Sequence, residues 1–135
     1  MSSEDRKAMS LEDQPIEHIG SAPWSFHISS HDVSKMIQGF TPQEMGQRWM
    51  CKTDGPNSHG DIEVHFCRSW TGDECFRMRA KGDENGAEVI EIKWHKGNED
   101  APTDEDEAKR TVVNFTRGLL GCQLGEAPEE LMETV

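Results

Sequence analysis

The sequence predicts an α+β domain, with a small antiparallel sheet of about four strands covered on one face by a C-terminal helix. Three observations point to it. Between Arg48 and His95, apolar and polar residues alternate in successive short segments, the period of a strand with one buried and one wet face. Turn sequences such as Asp54-Gly55-Pro56-Asn57 and Gly82-Asp83-Glu84-Asn85-Gly86 separate those segments, and such short polar links reverse a chain rather than cross it over. Ala108, Val112, Phe115 and Leu119 then recur at helical spacing and form one apolar stripe.

Taken in order, residues 1–22 are polar and acidic with little periodicity, and read as a disordered arm. The domain proper is expected over 23–124, with an acidic tail over 125–135. Trp24, Phe26 and Ile28 alternate with polar residues as a short strand or an extended segment across the core. Val33, Met36, Ile37 and Phe40 predict a helix capped by Ser30 or Asp32 and ending near Gly39. Thr41-Pro42-Gln43-Glu44 has the form of a second helix start. Strands are expected at Arg48–Lys52, Asp61–Cys67, Cys75–Ala80 and Ala87–His95. Ile62, Val64, Phe66, Phe76 and Met78 should face inward, joined from the last strand by Ile90, Ile92 and Trp94. Thr103 caps the final helix, acidic residues favour its N-terminus, and Gly121 stops it.

The formal net charge of −12 repels phosphate backbones and anionic lipids, so neither nucleic acid nor membrane is an expected partner. It suits steering of a cationic protein partner instead. Cys51, Cys67, Cys75 and Cys122 form no close pair, and no apolar segment has the form of a leader or a membrane span. The expectation is a cytoplasmic protein with reduced thiols. No cofactor-binding motif is present, and none of the glycine runs cradles phosphate.

The run Phe66-Cys67-Arg68-Ser69-Trp70-Thr71-Gly72 stands apart from the other connections. A link that only reverses the chain needs neither an Arg nor a Trp. The Arg68 fork suits a phosphate or carboxylate, Trp70 offers a stacking face, and the Ser69 and Thr71 hydroxyls can orient a ligand oxygen. The structural alternative places Trp70 inside the sheet–helix core and leaves Arg68 to tie a helix end. His65, Cys67, Cys75 and His95 are ligand-type side chains, but their spacing is not that of a closed zinc site, and no metal is expected. Glu63, Arg77, Arg79, Glu91 and Lys93 should be a solvated row of cross-strand charge pairs.

Arg48-Trp49-Met50, Asp54-Gly55, the Ile62–Gly72 run and a charged helix ending in Leu119-Leu120 together resemble a family of small, largely uncharacterised domains. Those domains share a Phe-His-Arg-Ser-Trp-Thr-Gly run and occur alone or associated with ADP-ribosylglycohydrolases. The resemblance covers residues 44–121, and Cys67 stands where the family run has His. It implies a neighbourhood of ADP-ribose or NAD metabolism and marks Arg68, Ser69, Trp70 and Thr71 as the special loop. The leading expectation is therefore a domain binding a small anionic or nucleotide-like ligand through Arg68, Ser69, Trp70 and Thr71, with His65 nearby. A protein-interaction module is one alternative. A small hydrolase using Glu63, His65 or Asp73 as acid or base is the other.

Overall fold

Alternation alone builds most of the architecture. The computed structural model describes residues 10–14, 16–98 and 101–127. Its elements are β1 (Ile19–Ser29), α1 (Ser30–Gln38), β2 (Trp49–Asp54), β3 (Ile62–Arg68), β4 (Glu74–Asp83), β5 (Gly86–His95), β6 (Gly97–Asn98), β7 (Ala101–Pro102) and α2 (Glu105–Leu120). The five long strands form one antiparallel sheet in the order β1-β5-β4-β3-β2. Strands β2 to β5 are the expected meander. The segment around Trp24 is a full edge strand paired with β5, so the sheet has five strands rather than about four.

One sheet face is dry. Val64, Phe66, Met78, Val89 and Ile92 lie on it, fully buried, and α2 presses Ala108, Val112, Val113, Thr116 and Leu120 into the same core. This is the helix-covered α+β layer expected from the stripe on α2. Trp49, Phe66 and Phe76 gather around Phe115 of that helix, with ring centroids 4.7, 6.2 and 6.2 Å from it. Among the described residues no helix is long and apolar enough to cross a membrane.

Several local expectations change. Strand β1 begins at Ile19, and Leu11 is buried, so the stretch expected to be a free arm joins the domain from residue 10; residues 1–9 lie outside the described residues. Ala127 is buried, so the fold also extends past the expected boundary at 124, while 128–135 lie outside the described residues. Ser29 caps α1 by accepting from the Asp32 N–H, and Asp104 rather than Thr103 caps α2, accepting from the Glu107 N–H at 2.8 Å. Gly121 ends α2 in the left-handed conformation, as a C-terminal glycine does. No helix starts at Thr41. The Gln47 side chain accepts from the Gln43 and Glu44 N–H groups and closes a turn there instead.

The pairing register shifts at three places, one of them between Pro23 and Phe26 of β1, and the shifts in β5 and β4 break the period-two pattern of the sequence. In β5 the register shifts between the Arg79–Glu91 and Ala80–Val89 pairs, so Ile90 is an extra residue. An extra residue inverts the alternation beyond it. Val89 is therefore buried (0% exposed) and Ile90 faces outward (38%), the reverse of the sequence expectation. The other bulge, in β4, lies between the Phe66–Phe76 and Cys67–Glu74 pairs and leaves Cys75 as the extra residue.

Gly20 pairs with Trp94 across β1 and β5, and a Cβ there would come within 2.2 Å of the indole. The Trp94 Nε1–H in turn donates to the Thr103 carbonyl at 3.0 Å, tying β5 to the approach to α2. Gly20→Ala is expected to lower stability by about 1–3 kcal/mol through overpacking. Ser21→Ala, one residue on, should change it by less than ~0.5 kcal/mol. Urea denaturation of the two variants measures the difference.

Candidate functional site

The bulge at Cys75 creates the first feature of the outer sheet face. Residues three apart on a regular strand point to opposite faces, so Glu74 and Arg77 should not meet. With one residue inserted between them, both lie on the outer face. Arg77 grips Glu74 in a two-bond fork, Nε to Oε2 and Nη2 to Oε1, each at 2.8 Å. Both are buried because residues 10–12 lie over them. The Leu11 N–H and the Ser10 hydroxyl donate to Glu74 Oε1, while Arg77 reaches Ser10 Oγ and Glu12. Arg77 is thus not part of the solvated charge row. Arg79 is, bridging Glu63 at 3.3 Å and Glu91 at 3.2 Å.

His65 sits beside this pair with 6% of its surface exposed. Its Nδ1 lies 2.6 Å from Glu74 Oε2, and its Nε2 lies 2.8 Å from Asp54 Oδ2 and 3.9 Å from Glu63 Oε1. A carboxylate only accepts, so both contacts are satisfied by the protonated imidazole and favour that form. Burial alone would disfavour that charge, but Glu74 and then Asp54 outweigh it and raise the His65 pKa. Burial likewise opposes ionisation of Glu74. The Arg77 and His65 bonds overcome it and hold the carboxyl down at about 2. Burial pushes the neighbouring Cys67 thiol up to about 11, far from the thiolate that nucleophilic chemistry needs. These groups border a polar hollow of about 270 Å³.

The second feature is the loop after β3. The Arg68 N–H donates to the Asp73 carbonyl at 2.9 Å and the Gly72 N–H to the Arg68 carbonyl at 2.7 Å, closing it on itself. The Ser69 N–H and hydroxyl donate to the carbonyls of Arg48 and Gln47 at 2.9 and 3.0 Å, pinning it to the start of β2. Thr71 Oγ1 accepts from the Asp73 N–H. Trp70 is left 66% exposed. Trp24 and Trp94 are buried in the core and the half-buried Trp49 packs against it, so the alternative reading of Trp70 as a core plug does not hold. The Arg68 guanidinium lies 5.1 Å above the Trp49 ring, within cation–π range. Met45, Arg48, Arg68, Trp70 and Thr71 line an open hollow of about 350 Å³.

The sequence-expected ligand residues therefore divide. Arg68, Trp70 and Thr71 share the loop hollow, Ser69 turns away to hold the loop, and His65 belongs to the other hollow, which has no lining residue in common with the first. The acid gripping His65 is Glu74, the neighbour of the expected Asp73. His65, Cys67, Cys75 and His95 do not converge on one point. His95 Nδ1 accepts from the Gly97 N–H, and the Cys75 thiol points to the Asp73 carbonyl. Sequence reasoning missed Glu74 and Asp54, the first because the bulge hides its face and the second because it begins turn chemistry. No family model, curated protein or solved structure matches this chain.

Glu74 has a folded-state pKa below its unfolded value, so its contribution is complete above about pH 4.5 and lost as pH falls toward 2. His65 is raised, so its contribution is complete below about pH 6.5 and lost as pH rises through the folded value. Stability is expected to peak between these limits and to fall on both sides. Glu74→Ala strands the buried Arg77 charge and should cost about 3–5 kcal/mol near the maximum. It should also flatten the acid limb. Denaturant midpoints across the pH range check both.

Proposed function

We propose that this chain is a binding domain for a nucleotide-like anion, with ADP-ribose and NAD the first candidates, held at the Arg68–Thr71 loop. The observation that carries the reading is Trp70, 66% exposed, in one hollow with Arg48 and Arg68 on a chain of net charge −12. An acidic surface disfavours anions in general, so a paired guanidinium site beside a bare indole marks one place where a flat anion is welcome. The hollow is of small-molecule size.

The roles follow from geometry. Trp70 stacks on a base or ring, an interaction worth about 1–3 kcal/mol per base. Arg48 and Arg68 take the phosphates, Arg68 already resting on the Trp49 shelf and therefore losing less freedom on binding. Thr71 accepts a backbone N–H and keeps its own proton to donate. Ser69 positions the loop and does not reach the ligand, because its hydroxyl already donates to Gln47. Met45, 80% exposed, adds a soft apolar wall. The resemblance to domains associated with ADP-ribosylglycohydrolases narrows the ligand class.

Thermal shift against ADP-ribose, NAD, mononucleotides and inorganic phosphate tests this. A ligand at 100 times its dissociation constant stabilises by about 2.7 kcal/mol. Trp70→Ala and Arg68→Ala are expected to abolish the shift while remaining folded, Arg68→Ala losing only the ~0.5–1 kcal/mol of an exposed cation–π contact. A flat panel, or a shift that survives both substitutions, overturns the reading. In that case the adjoining Met45 and Trp70 become a candidate docking surface for a protein segment.

A further inference from the structure

We propose that Asp54, Glu63 and His65 form a site for a divalent transition-metal ion of the zinc or manganese type. Asp54 and Glu63 are direct register partners across β2 and β3, and directly opposed like charges on one sheet face are destabilising. His65 follows Glu63 by two residues and so shares that face. One ligand atom from each of the three lies within 4.8 Å of the others. An ion bonded at about 2.0–2.2 Å to each needs ligand atoms roughly 3–4 Å apart, a small inward adjustment that the exposed Asp54 side chain, at 73%, is free to make.

The support behind the histidine is the independent observation. Metal-binding imidazoles are typically oriented by a carboxylate on the other ring nitrogen. Here Glu74 holds Nδ1, and Arg77 holds Glu74 by its two-bond fork. The buried ring thus aims Nε2 at Asp54 and Glu63, at the edge of the polar hollow. Arg79 occupies Glu63 Oε2 and leaves Oε1 toward His65. The ion takes the place of the Nε2 proton, which passes to solvent. One nitrogen and two carboxylate oxygens leave further coordination positions to water, and the hollow has room for it. The nitrogen disfavours magnesium and calcium, and the absence of a thiolate donor disfavours copper(I). Lys52, across from His65 and bordering the same hollow, places a positive charge nearby and tempers the affinity.

Calorimetric titration of the chelator-treated full chain with zinc and with manganese salts, at about 0.15 M ionic strength to screen surface charge, decides the matter. The expected result is one ion per chain for at least one metal, weakened tenfold or more by Asp54→Asn and by His65→Gln. Asp54→Asn changes an exposed side chain and keeps the result readable if His65→Gln fails to fold. Asp104→Asn, at the acidic start of α2, and Trp70→Ala should leave the titration unchanged, which separates this site from the nucleotide reading. Absence of binding by both metals overturns the proposal. So does binding that Asp54→Asn leaves intact, which would be the general attraction of cations to a chain of charge −12.

Discussion

The outer half of this molecule depends on one buried ion pair, Glu74 with Arg77. Two charges removed from water are costly unless every bonding position is satisfied, and that demand organises the surroundings. Glu74 takes two bonds from Arg77, one from His65 and others from Ser10 and Leu11. Arg77 uses two further donors on Glu12 and Ser10. The segment before β1 is therefore fixed over the sheet by electrostatics as much as by the burial of Leu11. A face that would otherwise be wet acquires a small closed polar core, opposite the apolar one under α2.

His65 inherits its state from that pair. Glu74 holds one side of the ring, and the other side is presented to Asp54 at the sheet edge. The histidine is neither a surface residue nor part of the loop. It connects a rigid buried network to an exposed carboxylate. The inner side of the arrangement is buried and the outer side meets an exposed carboxylate.

The loop uses a different support. Strand β3 ends where Trp49, Phe66 and Phe76 close around Phe115, so the backbone entering Arg68 rests on packed aromatic rings. Ser69 and the internal bonds of the loop consume its polar groups. What remains outward is the Trp70 indole with the Arg48 and Arg68 guanidiniums. The inner face and the loop are thus coupled: helix α2 supplies the Phe115 ring against which Trp49, the ring beneath Arg68, packs at a tilt.

The α+β class, the four-strand meander, the stripe on α2 and the stop at Gly121 were legible in the sequence, because periodicity and turn chemistry are local and survive without tertiary context. The Arg68–Thr71 run was legible as a polar-aromatic connection, and three of its side chains line one hollow. What sequence could not supply was parity past a bulge. Cys75 and Ile90 look like ordinary members of alternating strands, and only the pairing with β3 in one case and β4 in the other reveals them as insertions. That shift turned Glu74 outward to meet Arg77 and His65, and exchanged Val89 with Ile90. The exposure of Trp70 was likewise decided by packing, since the core takes Trp24 and Trp94, with Trp49 packed against it. The sequence by itself determined that the four meander segments are strands and that the stretch before Gly121 is a helix. The tertiary structure decided which side chains meet, because register is a property of two strands together and is written in neither alone.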